Sequence, residues 1–525
     1  MRRGRSRCGS TLFRPSLAAL ACTMSCLMLT AAPTASAEDT EREAAALFDR
    51  ISDDPVLLRV FLRDMPKGGD LHNHASGTPF AEEYLSWAED RAFCVTEVPA
   101  AISPPPCEDE GEITAVGLMR TDPALYAEIV DALSVREVLA DVDIDRSGHE
   151  QFFGSFERFF PIVSEEPDRT LASIKQLAAD DRLSYVELMF NPGTINQYTV
   201  QSEDGDWDES DLDAAFSRFA PEIDALVEAG IQQRDKTERE AAEILSCGTA
   251  DAEPGCDVTV YYNFYGLRLL PNEQLFRQLA LGFALIEADP RFLGVSLVQP
   301  EDDPRAIENY QLHMRMIAFL NEKYPSAKVS LHAGELTLGL APAYALRSHI
   351  RDAIEIAGSS RIGHGIDIAW ELDSRKTLDR MAEERIAVEI NLSSNDIILG
   401  VRGKEHPLNL YRASGVPIVL STDDQGVLRT DMTEQYVRAA LEHGLAYRDL
   451  KQAARNSLEF AFLPGTSIWK PGQPGTPSPT CQSVASRSCR ALALFSPKAL
   501  LQLKLEDDFE AFEKDIAGWT IAQPE

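Results

Sequence analysis

Short apolar runs alternate with longer amphipathic segments along most of the chain. From residue 70 onward the short runs are rich in Val, Ile, Leu and Tyr, which is typical of buried strands, and the longer segments repeat their apolar positions with a helical period. The pattern predicts strands at 69–74, 184–190, 258–265, 293–298, 328–332, 361–364, 387–391 and 417–421. It predicts helices at 211–245, 272–288, 305–323, 341–357, 374–384 and 497–518.

This alternation predicts a parallel sheet covered by helices, and eight strand–helix units are the number that closes a (β/α)8 barrel. An open doubly wound sheet would show the same alternation. Neither of the glycine-rich phosphate-binding motifs of the open folds, G-x-G-x-x-G and G-x-x-x-x-G-K-[ST], is present. Polar residues also follow the carboxyl ends of many different strands, where a barrel assembles its active site. We therefore expect an α/β protein with a TIM-type barrel.

Two segments depart from the alternation. Residues 79–182 are too long for a single crossover helix, and we expect an insertion after the first strand that lies over or beside the barrel mouth. A loop rich in Pro, Gly and Ser follows Phe462 and leads into the predicted terminal helix, so we expect a C-terminal extension at about 464–525. The chain from 38 to 525 is thus predicted to be one domain with these two additions.

The N-terminus has the features of an export signal. Five arginines precede a mostly apolar stretch at 17–32, and Ala35-Ser36-Ala37 has the small-x-small form of a cleavage site. A retained membrane anchor is the alternative, but the apolar stretch is short. We expect a cleavable signal peptide at 1–37 and a secreted or periplasmic protein. No later segment offers the roughly 20 apolar residues that a membrane-spanning helix requires.

The cysteines are consistent with export. Three of the nine lie in the predicted signal peptide, and the other six form three close pairs in loop-like sequence: Cys94 with Cys107, Cys247 with Cys256, and Cys481 with Cys489. Such pairs are typical of local disulfides in an oxidising compartment. Metal binding by the thiols is the rival interpretation, although no C-x-x-C motif is present.

The charge balance excludes some partners. With 50 Lys+Arg against 84 Asp+Glu the formal net charge is −34. Removal of the five arginines of the predicted signal peptide would make the mature chain still more acidic. A sequence-independent grip on nucleic acid requires a basic face, and an anionic membrane surface would repel such a protein. We expect a small-molecule partner; the oligomeric state is not readable from the sequence.

Histidines are scarce, and four of the nine lie at predicted strand ends. His72 and His74 are two residues apart on a strand, so their side chains point to the same side. His332 and His364 each close a strand, and Asp423 follows the last one. An H-x-H pair alone is weak evidence, but three imidazoles and one carboxylate are a ligand set that suits Zn²⁺.

Acid–base residues accompany these candidates. Glu335 lies three residues after His332, and Asp424 is adjacent to Asp423. Zn²⁺ lowers the pKa of a bound water to about 7 and so supplies a nucleophile at neutral pH. The chemistry then needs a base for the water and an acid for the group under attack, and Glu335, His364 and Asp424 are residue types that serve in these roles.

Four segments together resemble the signatures of the adenosine deaminase family, within the amidohydrolase superfamily. They are Pro-Lys-Gly-Gly-Asp-Leu-His-Asn-His at 66–74, Leu-His-Ala-Gly-Glu at 331–335, Arg-Ile-Gly-His-Gly at 361–365 and Ser-Thr-Asp-Asp at 421–424. Lesser matches lie at 185–188 and 391–395, and the resemblance spans roughly residues 60–463. The export signal, the cysteine pairs and the long insertion resemble the secreted, growth-factor-like branch of that family.

The resemblance implies a role for each matching residue. The ligands of one Zn²⁺ per chain would be His72, His74, His332 and Asp423. Glu335 would donate a proton to purine N1, His364 would accept the proton of the attacking water, and Asp424 would orient that water. The implied reaction is hydrolytic deamination of adenosine, and of 2′-deoxyadenosine, to the inosine counterpart and ammonia.

The substrate pocket matches the family less closely. Residues 75–77 read Ala-Ser-Gly where many relatives have Leu-Asp-Gly, so sugar contacts do not transfer. Gln299 occupies a position where the family commonly places a glycine whose N–H meets the purine, and Pro300 has no N–H to donate. We expect Gln299 to crowd or contact the substrate and Glu301 to face it.

Several alternatives stay open. The chain could be an amidohydrolase that acts on another amino-purine or a modified nucleoside, or a catalytically weak extracellular binding protein on the same scaffold. A polysaccharide-active barrel with paired carboxylates would not need the strand-end histidines. A binuclear hydrolase would require a bridging lysine that 258–267 and 293–302 lack, and the H-x-E and P-C-x-x-C motifs of cytidine deaminases are absent.

Other histidines and aromatic residues are interpreted as packing residues. We expect this of His149, His313, His349, His406 and His443, which lie in helical or loop sequence. Five phenylalanines at 152–160 have the helical spacing typical of a core face. Their place in the insertion leaves open that some of them line the substrate mouth.

Overall fold

The structure, a computed structural model, describes residues 37–140, 147–201 and 207–519. The predicted signal peptide lies outside the described residues except for Ala37, which begins the first helix. Cys8, Cys22 and Cys26 also lie outside them.

Eight strands of the described residues form one large sheet, and the other strands form two small accessory sheets. In chain order they are β1 (Gly68–His74), β2 (Cys94–Glu97), β3 (Ala100–Ser103), β4 (Glu112–Thr114), β5 (Leu183–Met189), β6 (Thr259–Leu267), β7 (Phe292–Val298), β8 (Lys328–Ala333), β9 (Arg361–His364), β10 (Ala387–Ile390), β11 (Ile418–Leu420), β12 (Trp469–Lys470) and β13 (Gln473–Pro477).

Helices cover and connect the strands. In chain order they are α1 (Ala37–Ile51), α2 (Pro55–Asp64), α3 (Ala81–Asp90), α4 (Leu118–Thr121), α5 (Pro123–Ala132), α6 (Arg136–Leu139), α7 (Gly148–Glu165), α8 (Pro167–Asp180), α9 (Gly193–Gln201), α10 (Leu212–Ile244), α11 (Asn272–Ala288), α12 (Pro304–Lys323), α13 (His349–Glu355), α14 (Ser374–Glu384), α15 (Leu392–Leu399), α16 (Leu408–Ala413), α17 (Met432–His443), α18 (Tyr447–Glu459), α19 (Arg487–Ala493) and α20 (Pro497–Ile516). None of the described helices is both long and apolar enough to cross a membrane.

The eight-stranded sheet is a parallel barrel. Its order is β1-β5-β6-β7-β8-β9-β10-β11, with every neighbouring pair parallel. The ends meet where Asn73 pairs with Asp423, and the Asp423 N–H donates to the carbonyl of His72 at 2.9 Å. Each predicted strand corresponds to a barrel strand, so the predicted (β/α)8 fold is confirmed.

The predicted helices agree with the structure except for one. Helices α11 and α14 have the predicted bounds, and α10 and α12 differ by a residue at one or both ends. The prediction of one helix at 341–357 was wrong: a 3₁₀ turn at Ala345–Arg347 is followed by α13. Ser348 separates them because its backbone leaves the helical region (φ −160°), while its hydroxyl donates to Asp352 Oδ2 at 2.7 Å.

The segment between β1 and β5 forms a second hydrophobic cluster over the carboxyl ends of the barrel strands. It contains the antiparallel sheet β3-β2-β4 and helices α3 to α7. Phe152 and Phe159 of α7 are buried in this cluster, as are Val427 and Leu428 from the loop after β11. The Val135 N–H donates to the carbonyl of Val427 at 2.9 Å. This packing places α7 beside the barrel mouth.

The three predicted cysteine pairs form disulfides: Cys94–Cys107, Cys247–Cys256 and Cys481–Cys489. Each one closes a local loop. The predicted terminal helix corresponds to α20, which packs against α1 and α18. Tyr447 of α18 donates to Glu513 Oε1 of α20 at 2.8 Å.

A buried ion network occupies the barrel interior. Arg361, of which 1% is exposed, donates to Glu389 Oε1 and to Glu187 Oε2, each at 2.6 Å. Burial alone would raise the pKa of Glu389, but Arg361 and His72 offset burial and lower this pKa to about 2. The guanidinium therefore neutralises two carboxylates that the barrel holds away from water.

We predict that Arg361→Leu lowers the free energy of unfolding by about 3–5 kcal/mol, because Glu187 and Glu389 would stay buried without their counter-charge. Urea unfolding followed by circular dichroism measures this. The matched control is Arg380→Leu, which removes the half-exposed Arg380–Glu355 pair and should cost less than about 1 kcal/mol. Equal losses in the two variants would contradict the assigned role of Arg361.

Candidate metal and active site

A cavity of about 580 Å³ opens at the carboxyl ends of the barrel strands, beside α7. Its polar lining includes six of the seven candidate metal ligands and acid–base residues: His74, His332, Glu335, His364, Asp423 and Asp424. The seventh, His72, lies behind this lining and is fully buried. Strand ends hundreds of residues apart in sequence thus meet at one point, as expected for a barrel active site.

Four donor atoms converge in this cluster. His332 Nε2 lies 3.0 Å from His72 Nε2 and 3.2 Å from His74 Nε2, and the two latter atoms are 3.4 Å apart. Asp423 Oδ1 lies 3.0 Å from His74 Nε2 and 3.5 Å from His72 Nε2. Four ligands placed tetrahedrally at about 2.0–2.1 Å from a zinc ion would be separated by about 3.3–3.4 Å. The donor atoms therefore have the spacing that a small ion such as Zn²⁺ requires.

The imidazole tautomers also suit a metal. His72 Nδ1 donates to the buried carboxylate of Glu389 at 2.8 Å, and His332 Nδ1 lies 3.2 Å from the hydroxyl of Ser296. A proton on each Nδ1 leaves the lone pair of each Nε2 directed at the centre. Lone pairs that face one another repel, whereas a cation between them would satisfy all of them.

A second grouping of donors includes His364 in place of His74. His72, His332, His364 and Asp423 each offer an atom within 4.8 Å of the others. We favour the set with His74, because its measured separations are 3.0–3.5 Å, as a small tetrahedral ion needs.

Left-handed backbone conformations occur at three residues that line the cavity. The φ angles are 79° at Gln299, 65° at His364 and 62° at Asp423. A non-glycine residue in a sparsely populated region costs about 1–3 kcal/mol, and such strain is concentrated at functional sites. Gln299 directly follows β7, His364 ends β9, and Asp423 lies three residues after the end of β11.

Two motif glycines permit close approach within the site. A Cβ at Gly363 would lie 2.7 Å from Cε1 of His72, and a Cβ at Gly77 would lie 1.8 Å from Oδ1 of Asp424. Either side chain would displace the neighbouring functional group. This explains the glycines of Arg-Ile-Gly-His-Gly and Ala-Ser-Gly by packing.

The candidate acid–base residues face the cavity. Burial raises the pKa of Glu335 well above its usual range, and the nearby carboxylates of Asp423 and Glu301 add to this effect. Among the described residues, His364 Nε2 and Asp424 Oδ1 are buried without a hydrogen-bond partner. A buried carboxyl of raised pKa and two polar atoms without partners are thus available to a ligand.

The two predicted substrate contacts lie in different places. Gln299 lines the cavity, but its Oε1 accepts from the N–H of Leu269 at 3.0 Å, so the side chain is tied to the neighbouring loop. Glu301 is buried outside the cavity lining. Its two oxygens accept from the N–H groups of Gly334 and Glu335 at 3.1 and 2.9 Å. Glu301 therefore holds the loop that carries Glu335.

Sequence reasoning missed two supporting residues. Arg268 is buried after β6 and donates to the carbonyls of Leu297 and His332 at 3.1 and 3.0 Å. Glu389 supports His72, as described above. A signal for Glu389 exists in the sequence, since it is an acid inside an apolar strand, and buried acids need a partner. Arg268 follows a strand, but the sequence around it matches no recognisable motif, and its partners are visible only in the folded structure.

Comparison with known proteins gives one family. Residues 294–468 match the model of the adenosine deaminase family. An adenosine deaminase of Clostridium perfringens is 28% identical over 181 residues, which cover 34% of this chain and 51% of that protein. The chain thus aligns with about half the length of this curated relative.

Solved structures share the fold. An adenine deaminase from Arthrobacter aurescens superposes with a TM-score of 0.52 and 15% identity, covering 84% of this chain and 98% of that one. An amidohydrolase from Burkholderia ambifaria with bound Zn gives a TM-score of 0.52 and 15% identity, covering 87% and 94%. At this identity the likeness shows the barrel architecture alone.

We predict that the protein binds one divalent ion per chain and that His332→Ala loses it. The affinity should fall by more than the roughly 10–100-fold typical of losing an outer-shell partner, because a direct ligand is removed. Equilibrium dialysis against Zn²⁺ with elemental analysis measures this. His443→Gln, a change at the buried end of α17, is the control and should bind normally. Equal binding by both variants would count against the site.

Proposed function

We propose that the chain is a zinc-dependent aminohydrolase of the adenosine deaminase family, whose model matches residues 294–468. Its substrates would be adenosine and 2′-deoxyadenosine, and its products the inosine counterparts and ammonia. The observation that carries the proposal is the convergence at one cavity of a His₃Asp donor set and the buried carboxyl of Glu335, whose pKa burial raises. Metal donors and proton donor thus face the same space.

His72, His74, His332 and Asp423 are the residues that would hold the ion. A Zn²⁺ bound there would supply a water of lowered pKa, and hence hydroxide, near neutral pH. Glu389 and Ser296 orient two of these imidazoles by hydrogen bonds to Nδ1. The order of events at the substrate then depends on Glu335, His364 and Asp424.

Burial raises the pKa of Glu335 and so favours its protonated form, which donates its proton to purine N1. Proton donation draws electrons from C6, where a water oxygen adds. The proton taken from the water passes to the amino nitrogen, the bond between C6 and that nitrogen breaks, and the nitrogen leaves as ammonia. The C6 hydroxyl returns its proton to Glu335, and C6 becomes a carbonyl. His364 and Asp424 share the handling of the attacking water: one accepts its proton, and the other holds its oxygen by a hydrogen bond.

The cavity lining supports a neutral substrate. Among the described residues that line the cavity there is no lysine or arginine to pair with a phosphate. Phe153, Phe156 and Phe160 of α7 line its outer part, and apolar walls with few polar groups are typical of small-molecule sites. A nucleoside or free base suits this lining better than a nucleotide.

The same aromatic mouth favours one alternative within the class. An amino-purine or modified nucleoside with an apolar substituent would gain contact with Phe153, Phe156 and Phe160. A catalytically weak binding protein is the other alternative. A panel of adenosine, adenine, AMP and modified nucleosides separates these cases, since the binder releases ammonia from none of them.

We further propose that the protein is exported to the periplasm or the medium, as a member of the secreted, growth-factor-like branch. The three disulfides support this, because such bonds persist in oxidising compartments. The long segment between β1 and β5 is the second supporting feature. N-terminal sequencing of the secreted protein tests the cleavage expected after Ala37.

We predict that the zinc-loaded protein releases ammonia from adenosine and that Glu335→Gln lowers kcat by about 10²–10⁴-fold, the range for losing a general acid. The amide retains the shape of the side chain but cannot deliver the proton, so zinc content should not change. The control is Glu383→Gln, an exposed change on α14 that should leave kcat unaltered. Retention of most activity by Glu335→Gln would refute the proton-donor role.

A further inference from the structure

A chain of hydrogen bonds reaches His364 from behind the site. Its origin is the backbone N–H of Leu408, which donates to His406 Nδ1 at 3.1 Å. Because a backbone N–H is always a donor, His406 Nδ1 must be an acceptor. Burial, together with His443 and Arg438, lowers the pKa of His406 to about 3, so this ring is neutral and carries its proton on Nε2.

The hydrogen bond from Leu408 to His406 determines which atom donates in each of the next two bonds. His406 Nε2 lies 3.1 Å from Asn395 Oδ1 and donates to it. The amide group of Asn395 is thereby oriented, and its Nδ2 lies 3.0 Å from Nδ1 of His364. An amide nitrogen is a donor only, so His364 Nδ1 must accept.

The surroundings leave little freedom for a different arrangement. His364 and Asn395 are fully buried, and 4% of His406 is exposed. The nearest acid to His364 Nδ1 is Glu335, whose Oε1 lies 3.6 Å away, beyond hydrogen-bond distance. Asn391 Nδ2, at 3.3 Å, is a second donor facing the same nitrogen. A proton on Nδ1 of His364 would therefore face the amide N–H groups of Asn391 and Asn395 and would have no acceptor.

We propose that Asn395 and His406 are positioning residues that hold His364 in the tautomer with its proton on Nε2. His364 then enters the reaction as a hydrogen-bond donor to the attacking oxygen and does not take up the proton of the water. The family resemblance gives His364 the opposite role. That the acceptor is the attacking water oxygen rests on the proposed function, whereas the assignment of the tautomer does not.

The buried, unpartnered Nε2 agrees with this assignment. In the described residues this atom has no partner within the protein. An N–H directed into the cavity would be satisfied by a ligand oxygen, and prearranged donors of this kind stabilise developing negative charge.

Neutron diffraction of the deuterium-exchanged, zinc-loaded protein tests the tautomer directly. We expect density for deuterium on Nε2 of His364 and none on Nδ1. In Asn395→Asp the isosteric carboxylate accepts from both neighbours, so the proton should move to Nδ1. Deuterium on Nδ1 of the wild-type ring would overturn the proposal, and this measurement decides it even if Asn395→Asp fails to fold.

Kinetics supply the second test. Asn395→Asp should lower kcat by about 10²-fold or more, as expected on losing an aligned donor, with KM changed less than about threefold. His406→Gln retains a donor toward Asn395 and should keep kcat within about 10-fold of the wild type, whereas His406→Leu should resemble Asn395→Asp. The control is His313→Gln, a buried histidine of α12 whose Nε2 lies 3.3 Å from Asn272 Oδ1, away from the relay.

The outcomes separate the two proposals. Wild-type kcat in Asn395→Asp, with its tautomer unchanged, would contradict the positioning role while leaving deamination intact. If the wild-type protein released ammonia from no amino-purine, the proposed function would fail, and the diffraction result would still decide the tautomer.

Discussion

Three imidazole nitrogens that face one another inside a barrel are the constraint on which the site depends. His72, His74 and His332 bring their Nε2 atoms within 3.0–3.4 Å, beside the carboxylate of Asp423. With the proton of each ring on Nδ1, the three Nε2 lone pairs would point at a common centre, where a cation would satisfy all of them. The surrounding structure enforces the arrangement through the buried acid at Glu389, which in turn needs its own counter-charge.

Buried charge links the site to the stability of the fold. Arg361 joins Glu389 to Glu187 across the barrel interior, and the N–H of Phe462 donates to Glu187 from the loop after α18. Glu389, which orients His72, is thus connected through Arg361 and Glu187 to the loop after α18. Replacement of one member would disturb both the site and the fold.

The sequence was sufficient for the architecture and for the residues at strand ends. Strand periodicity located all eight barrel strands, and the short motifs located the histidines and acids that meet at the cavity. Helix periodicity could not reveal the interruption at Ser348. Glu301 was expected to face the substrate, but it holds backbone N–H groups, because which way a strand-end side chain turns depends on neighbours from other strands.

His406 illustrates the same limit. Its sequence context is an ordinary loop, and it was interpreted as a packing residue. Only the fold shows that it contacts Asn395 and, through it, His364. Likewise, the five phenylalanines of α7 share the spacing of a core face, but four of them line the cavity and only Phe159 does not.

Anomalous X-ray diffraction at the zinc edge, on crystals of the purified protein, shows whether a zinc ion lies among these side chains. We expect one peak per chain, at about 2.0–2.1 Å from Nε2 of His72, His74 and His332 and from Oδ1 of Asp423. A peak coordinated by His364 in place of His74, or no peak among these residues, would contradict this expectation.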